Sequence, residues 1–273
     1  WSGVCYRVMG TKLVSIASNG TTTTLGDVGS GGYVTLDYSF YRLGIASGGR
    51  LYYWNGATLT QVTDADLGTC LDFVWVDGYF MTTDGTHLIV TELADPFAIN
   101  PLKYGSSEAD PDPIKALIKL KNEVYAMNTH TIEVFDNVGG NLFPFARIEG
   151  AQIQKGVVGT HACCLFSDVI AFLGSGRNEA PGVYLGANGQ ALKISTQEID
   201  KTILSFSGSQ LANVLLEARI EDAHEFLFIH LPDRTLIYDA KASKELNDHV
   251  WFSFTSSIVY FSQYRAQNFV YCY

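Results

Sequence analysis

The chain has 273 residues and a formal net charge of −10, with 47% hydrophobic and 17% charged residues. That composition excludes a disordered chain, and the length allows one large domain or two small ones without metal or disulfide support. A protein that grips nucleic acid shows a basic patch or a high isoelectric point, so the acidic charge argues against that class. Five cysteines are too few for a disulfide framework.

The chain begins at Trp1 and ends at Tyr273, inside an apolar run. We therefore expect a fragment of a longer polypeptide, in which any targeting segment would lie elsewhere. No run reaches 18 apolar residues, so the sequence predicts no membrane-spanning helix.

Short apolar runs recur along the chain, and their starts lie 37 to 56 residues apart. In chain order they are VCYRVM (4–9), YRLGIA (41–46), YFMTTD (79–84), EVYAMN (123–128), VIAFLG (169–174) and EFLFIH (225–230). The runs that follow them are KLVSI (12–16), LYYWN (51–55), HLIVTE (87–92), TIEVFD (131–136), VYLGAN (183–188) and TLIYDA (235–240). The runs that precede all but the first are YVTLDY (33–38), CLDFVWV (70–76), IKALIKL (114–120), CCLFS (163–167) and VLLEARI (214–220).

Turn-forming residues separate the runs, as in Ser47-Gly48-Gly49, Asn55-Gly56, Asp84-Gly85, Asn188-Gly189 and Pro232-Asp233. Four strands per module at roughly 40-residue spacing are typical of a β-propeller blade. We predict an all-β protein, a single β-propeller domain over residues 1–273 with six blades. Seven blades are the alternative if flanking segments contribute one. A β-sandwich also remains open, since strand spacing alone permits it.

The last run, RAQNFVYCY (265–273), stands where the first strand of a module is expected, but no second strand follows it. We predict that it pairs with the run at 4–9 and completes the first blade. An unpaired apolar edge strand would otherwise invite aggregation.

One stretch has a helical pattern. Ser195 and Glu198 match a capping box, and Ile199 and Ile203 then fall on one face, which predicts a helix at about 196–206. A further turn is expected between Ser209 and Leu216, so the sequence predicts a helical insertion near 196–216.

Candidate chemical sites are weak. His161, Cys163 and Cys164 lack a fourth zinc ligand, and strand alternation would point the two thiols to opposite faces. His224 and His230 are six residues apart rather than the four that a zinc-protease helix requires. We therefore expect no metal site and no cofactor.

Catalytic and phosphate-binding motifs are equally weak. The Gly-rich segment 26–32 lacks a following helix, and no nucleophile-elbow motif occurs. Asp64, Asp66, Asp72 and Asp77 offer carboxylates for a glycosidase, although no spacing rule singles them out. The chemistry predicts a propeller that is not an enzyme.

Several segments together resemble one protein family. They are TIEVFDN (131–137), QKGVVGT (154–160), FSD (166–168), AF (171–172), DAHEFLFIHLP (222–232), TLIYDA (235–240) and the loop from Asp95-Pro96 through Ala109-Asp110 to Asp112. In their order and spacing the chain resembles the packaged-DNA stabilisation proteins of short-tailed, P22-type bacteriophages, also called tail accessory or tail hub proteins. The likeness is weakest before residue 70.

The resemblance implies a structural protein of the virion tail, assembled in the bacterial host cytoplasm. It implies a homo-oligomeric ring, reported as a hexamer, below the portal and adaptor proteins. That ring would help to retain DNA without sequence-specific binding and would dock the tail needle and the tailspikes. An acidic protein would let DNA pass without sticking, since phosphate binding depends on Lys and Arg.

Two alternatives stay open at this point. One is a carbohydrate-binding or glycosidase-type propeller, and the other is a generic propeller that binds proteins. For a ring, we expect the contacts to come from the acidic loop 105–113 and the helical insertion, because both exceed what blade geometry needs. The candidate residues are Glu108, Asp110, Asp112, Glu198, Asp200 and Lys201.

Overall fold

A computed structural model of the chain describes residues 1–29, 31–93, 95–257 and 262–270. In this part of the chain, six antiparallel sheets follow one another, and each is built from consecutive strands. This is a six-bladed β-propeller, as the repeat predicted, and we number the blades I to VI along the chain.

The first three blades hold eleven strands. Their bounds are β1 (Cys5–Met9), β2 (Lys12–Ile16) and β3 (Thr22–Asp27) in blade I; β4 (Thr35–Tyr38), β5 (Leu43–Ser47), β6 (Arg50–Trp54) and β7 (Leu59–Gln61) in blade II; and β8 (Asp72–Val76), β9 (Tyr79–Thr83), β10 (His87–Thr91) and β11 (Ile99–Ser106) in blade III. A 3₁₀ turn, Ala65–Leu67, lies between blades II and III.

The last three blades hold twelve strands and three short helices. Their strands are β12 (Ile114–Leu120), β13 (Glu123–Asn128), β14 (Ile132–Asn137) and β15 (Phe145–Arg147) in blade IV; β16 (Cys163–Phe166), β17 (Val169–Gly174), β18 (Gly182–Ala187) and β19 (Gln190–Lys193) in blade V; and β20 (Leu215–Glu221), β21 (His224–His230), β22 (Thr235–Asp239) and β23 (Trp251–Phe254) in blade VI. The helices are α1 (Gln197–Leu204), α2 (Gly208–Leu211) and α3 (Ala240–Leu246).

The middle strands of the blades are buried on both faces. Every residue of β5 is buried, for example, as are the last five of β13. Each sheet is packed between two neighbours, so these strands read as continuous apolar runs rather than as alternating patterns. Between blades II and III, the Tyr53 ring contacts Phe80 and Phe97, with centroids 4.8 and 5.2 Å apart.

The antiparallel order sends the connections to two opposite faces. One face carries the turns from first to second and from third to fourth strands; we call it the hairpin face, and it includes segments 39–42, 55–58, 77–78, 138–144, 222–223 and 240–250. The other carries the turns from second to third strands and the connections between blades; we call it the crossover face, and it includes segments 62–71, 107–113, 129–131, 148–162, 175–181 and 194–214.

The first strands of blades II to VI lie side by side around a central axis, as the contacts of β4 with β8, β8 with β12, β12 with β16 and β16 with β20 show. An inner strand has no hydrogen-bonded neighbour on its axis side, so its N–H groups there need other acceptors. Asp37 in β4 accepts the N–H of Trp75 in β8 at 2.6 Å. Asp72 in β8 accepts the N–H of Leu117 in β12 at 2.8 Å. A carboxylate of one blade thus holds the inner strand of the next.

Asp72 joins three blades. Besides the Leu117 N–H, it accepts the Thr35 hydroxyl of blade II at 2.6 Å and the Phe73 N–H at 3.0 Å. Burial raises the pKa of Asp72 to about 7, against the lowering effect of these three hydrogen bonds.

The axis is blocked at the crossover face. Tyr33 precedes β4 and His161 precedes β16, so they come from blades on opposite sides of the ring. Their ring centroids are nevertheless 5.5 Å apart, in an edge-to-face contact. A DNA duplex is wider than its major groove, which alone measures about 12 Å. It therefore cannot pass along the axis of one chain.

Blade I has three described strands, which correspond to the second, third and fourth strands of the other blades. The predicted strand at 265–273 falls partly outside the described residues, at 271–273. Residues 265–270 form no strand, and Asn268, with a φ of 61°, interrupts the extended path that a ladder requires. The Phe269 N–H is instead accepted by Glu217 of β20 at 2.9 Å.

Side chains also hold this segment against blade VI. The Phe269 ring lies 4.9 Å from the Phe228 ring, and the Arg219 guanidinium lies 5.1 Å from the Phe269 centroid. Glu217 therefore holds Phe269 as Asp37 and Asp72 hold the inner strands of blades III and IV.

The helical insertion is present as predicted, but its cap was assigned wrongly. Thr196, not Ser195, accepts the Ile199 N–H and begins α1. Ser195 is used elsewhere, because its hydroxyl accepts the Val183 N–H at 3.0 Å. The capping box that the structure contains lies at Ser207, before α2.

Helix α3 was missed in the sequence. It begins at the Asp239 cap, whose carboxylate accepts the Ala242 N–H at 3.0 Å, and ends at Asn247 in the left-handed conformation. Both cap residues are ordinary helix signals. The Asp239 cap was overlooked because the run TLIYDA was interpreted as a strand through Ala240.

Asp72 should make folding stability depend on pH. Its pKa is higher in the folded chain than in the unfolded one, so the folded state holds the extra proton between about pH 4 and 7. As the pH rises through that window, the free energy of unfolding of the wild type should fall relative to Asp72→Asn by roughly 1–4 kcal/mol. Urea denaturation from pH 4.5 to 8 measures this difference.

The exposed Asp66 provides the matched control, and Asp66→Asn should keep the wild-type pH profile. Parallel profiles for the wild type and Asp72→Asn would show that this carboxyl does not titrate in the window.

Candidate interaction faces

The acidic loop 107–113 joins blade III to blade IV on the crossover face. Asp112 accepts the His130 N–H at 2.5 Å and the Thr131 hydroxyl at 3.1 Å, which fastens the loop to the β13–β14 turn. Asp110 accepts a hydrogen bond at 2.5 Å from Arg177 in the β17–β18 connection of blade V. Glu108 is exposed. Two of the three predicted carboxylates therefore position the loop, and Glu108 is the one that faces solvent.

The helical insertion shows the same division of roles. Asp200 accepts the Lys193 ammonium and the Ser195 hydroxyl, each at 2.6 Å, and so fixes α1 to the edge of blade V. The hydrogen bond that Lys193 donates to Asp200 also raises the pKa of Lys193. Glu198 and Lys201 are exposed on the helix. These two remain available for contacts.

Segment 154–160 packs between the helical insertion and the β13–β14 turn to which the acidic loop is bonded. A Cβ atom at Gly156 would lie 2.3 Å from the His130 nitrogen, in the turn that Asp112 holds. A Cβ atom at Gly159 would lie 2.1 Å from the Ala212 oxygen, just after α2. Both contacts exclude a side chain. Across blades IV and V, the crossover face is therefore one tightly packed surface.

Sequence reasoning missed the ion pairs that tie distant loops together on this face. Arg177 is 67 positions from its partner Asp110, and Lys155 pairs with Glu179. No short-range pattern signals such pairs, because they depend on which loops the ring brings together.

The candidate carboxylates for glycoside hydrolysis occupy different surroundings. Asp72 is buried between inner strands, and Asp77 lies in a hairpin-face turn. Asp64 is on the crossover face, where it accepts the Ile99 N–H at 3.0 Å and the Asp66 N–H at 3.0 Å. Because their surroundings differ, the four carboxylates do not share one site.

The candidate metal ligands have other environments. Burial raises the pKa of both Cys163 and Cys164, which keeps these thiols neutral. His230 is buried and lies 2.7 Å from Glu217, whereas His224 lies 2.6 Å from Asp239. Among the residues that the structure describes, no three His, Cys, Asp or Glu side chains are grouped to hold a metal ion. In the same residues, no helix has the length and apolar character needed to cross a membrane.

The inner strands carry charges of both signs. Those of blades II to VI contain four acidic residues, Asp37, Asp72, Glu217 and Glu221, and three basic residues, Lys115, Lys119 and Arg219. The net acidity of the chain is therefore not concentrated along the axis. The expectation of an acidic surface that repels DNA finds no support in these strands.

Comparison with known proteins defines the class as a bacteriophage tail protein with a β-propeller fold. The whole chain, residues 1–273, matches the family model described as Bacteriophage P22 Gp10, beta-propeller. The chain belongs to this family. It is 30% identical, over an alignment 284 positions long, to the Tail hub protein gp10 of Salmonella phage P22, and the alignment covers 97% of this chain and 58% of that relative. The chain thus spans little more than half of the relative's length.

Solved structures of distant proteins share the fold alone. The Neurospora crassa Pan2 WD40 domain matches with a TM-score of 0.54 at 11% identity, covering 88% of this chain and 72% of that one. The N-terminal domain of Nup159 matches with a TM-score of 0.52 at 8% identity, with the same coverage. The extracellular domain of the hybrid two-component system BT4673 from B. thetaiotaomicron matches with a TM-score of 0.51 at 9% identity, covering 86% of this chain and 37% of that one.

The anchoring role of Asp200 leads to a direct test. Asp200→Asn should lower the free energy of unfolding by about 1 kcal/mol, because two charge-assisted hydrogen bonds are weakened. It should also speed proteolytic cleavage within 196–206, since α1 loses its fastening to Lys193. Denaturant unfolding and limited proteolysis measure the two effects.

Glu198→Gln, two positions away on the same helix, is the matched control. It also removes one charge from the first turn of α1 but touches neither Lys193 nor Ser195, so both quantities should change less than in Asp200→Asn. Equal cleavage rates for Asp200→Asn and the wild type would contradict the anchoring role.

Proposed function

We propose that this chain is the propeller part of a tail hub that helps to retain packaged DNA in a short-tailed phage virion, and that it has no enzymatic activity. Its membership of the P22 Gp10 family over residues 1–273 carries this proposal. The hub assembles in the bacterial host cytoplasm, adds below the portal and adaptor proteins, and docks the tail needle and tailspikes. Several copies form a ring, and a hexamer is expected from the resemblance.

The crossover face supports a role in assembly. Its two projecting segments are held rigidly by Asp110, Asp112 and Asp200, so that Glu108, Glu198 and Lys201 are presented at fixed positions. A closed ring needs head-to-tail contacts between two different patches of each copy. We assign the ring contacts to these segments.

DNA would be enclosed by the ring of copies, not by one propeller. The Tyr33–His161 contact blocks the axis of the chain, so any passage lies between copies. Enclosure in such a ring requires no sequence-specific contact with DNA.

Native mass spectrometry with the purified portal–adaptor assembly tests the proposal. Alone, the chain should be mostly monomeric, since a net charge of −10 makes identical copies repel one another at low salt. With the assembly present, a ring of copies should bind. A double variant, Glu108→Lys with Glu198→Lys, should reduce the bound copies at least tenfold.

Glu245→Lys is the matched control, because Glu245 is equally exposed but lies on α3 at the hairpin face. A stable two-fold dimer that does not bind the portal–adaptor assembly would contradict the proposal. Specific binding or cleavage of a polysaccharide would favour the carbohydrate-active alternative.

A further inference from the structure

A second surface lies on the opposite side of the ring. The β4–β5 turn of blade II projects from the hairpin face and carries Phe40 and Tyr41, two residues that are 83% and 82% exposed. Large aromatic groups left so open in adjacent positions mark interaction sites on soluble proteins.

The turn that carries these rings is tightly bonded. The Ser39 N–H donates to the Arg42 carbonyl at 2.8 Å, and the Ser39 hydroxyl accepts the N–H groups of Tyr41 and Arg42 at 3.3 and 3.1 Å. The Trp1 indole N–H donates to the Ser39 carbonyl at 2.9 Å. The two aromatic rings are therefore displayed by a fixed backbone, which lowers the entropy lost when a partner binds.

A groove of about 650 Å³ runs beside the turn, between blades II and III. Its walls are mainly apolar and include Trp75, Phe80, Leu93 and Pro96. Phe40 meets the edge of Trp75, with ring centroids 5.8 Å apart and planes at 84°. The groove thus offers an aromatic pocket large enough for one or two apolar side chains.

The groove also carries two acidic side chains, Asp77 and Glu92. Asp77 lines it in the β8–β9 turn and takes part in no ion pair among the described residues. Glu92 pairs with Lys103 at 2.6 Å, and Arg42, the cation that lines the groove, lies 5.1 Å from the Phe97 centroid. Asp77 is therefore the lining carboxylate that remains open to a cation of a ligand.

We propose that this groove binds a segment of another tail polypeptide that presents an apolar side chain flanked by Lys or Arg. The apolar side chain enters between Phe40, Trp75 and Leu93, while the cation pairs with Asp77. The site is separate from the crossover-face segments, so it would serve a partner other than a neighbouring copy of the chain. This inference rests on the proposed function for the presence of such a partner.

Thiol labelling in assembled tails tests the inference. The complete protein carrying Tyr41→Cys is labelled with a maleimide, once as the free protein and once in tails, and the wild-type background is subtracted. Position 41 should react at least tenfold more slowly in tails. Leu142→Cys, at a residue that is 57% exposed in the hairpin-face loop of blade IV, is the matched control and should react equally in both.

Charge reversal tests the role of Asp77. Asp77→Lys should lower incorporation into tails at least tenfold, whereas Asp222→Lys should not. Asp222 occupies the corresponding turn of blade VI, with a φ of 49° against 47° for Asp77, so both variants bear the same backbone strain. Equal incorporation of the two variants would overturn the charge assignment.

A photo-reactive phenylalanine at position 41 identifies the occupant. A cross-link to a different tail protein, at an apolar residue beside Lys or Arg, supports the proposal. A cross-link to a second copy, or an unprotected thiol of the Tyr41→Cys variant in assembled tails, overturns it. If the wild-type protein does not enter tails at all, the proposed function fails instead, which separates the two results.

Discussion

Closing a ring of separate sheets imposes one constraint on which the rest of this molecule depends. Each inner strand turns unpaired N–H groups toward the axis, and those groups must be satisfied without a neighbouring strand. Carboxylates from the preceding blade supply acceptors for two inner strands, Asp37 for Trp75 and Asp72 for Leu117, and the His161 carbonyl accepts the Leu216 N–H of β20. Glu217 accepts the Phe269 N–H of the C-terminal segment in the same way. The same bonds fix the rotation of one blade relative to the next.

A ring held in this way is a rigid disc with two unlike faces. On the crossover face, the inter-blade connections are packed against one another through Gly156 and Gly159 and present a few exposed charges. On the hairpin face, short turns leave apolar groups such as Phe40 and Tyr41 open to solvent. In the proposed role of a hub, the chain would contact several proteins at once. One face with a few exposed charges and one with an aromatic groove would allow the chain to bind different partners without competition.

The sequence predicted the blades well because burial on both sides of a sheet leaves long apolar runs with turn residues between them. Turns such as Asn188-Gly189, where both residues have positive φ, follow from local chemistry. Helix α3 was missed although its caps, Asp239 and Asn247, are visible in the sequence. The cap was predicted at Ser195 but lies at Thr196. Ser195 has the chemistry of a cap, but its hydroxyl accepts the Val183 N–H instead.

Other features could not be predicted, because they depend on contacts between residues that are far apart in the sequence. Nothing near Asp110 or Asp112 shows that these residues are bonded, since Arg177 lies 67 positions from Asp110 and His130 lies 18 positions from Asp112. The aromatic groove escaped notice for the same reason: Phe40 and Leu93 are 53 positions apart, and only the packing of blade II on blade III joins them. The segment at 265–270 was expected to extend as a strand. Instead, Glu217 accepts the Phe269 N–H and Arg219 lies over the Phe269 ring, so the segment contacts β20 without forming a strand.

Residue-resolved amide hydrogen exchange tests whether these carboxylate hydrogen bonds hold the ring together. The N–H groups of Trp75, Leu117 and Phe269 are each accepted by a carboxylate on an inner strand, so all three should exchange only through the global unfolding of the ring. We expect their opening free energies to agree with one another and with the global free energy of unfolding. Fast exchange at Phe269 with slow exchange at Trp75 and Leu117 would contradict it, because the bond to Glu217 would then not hold the C-terminal segment in the ring.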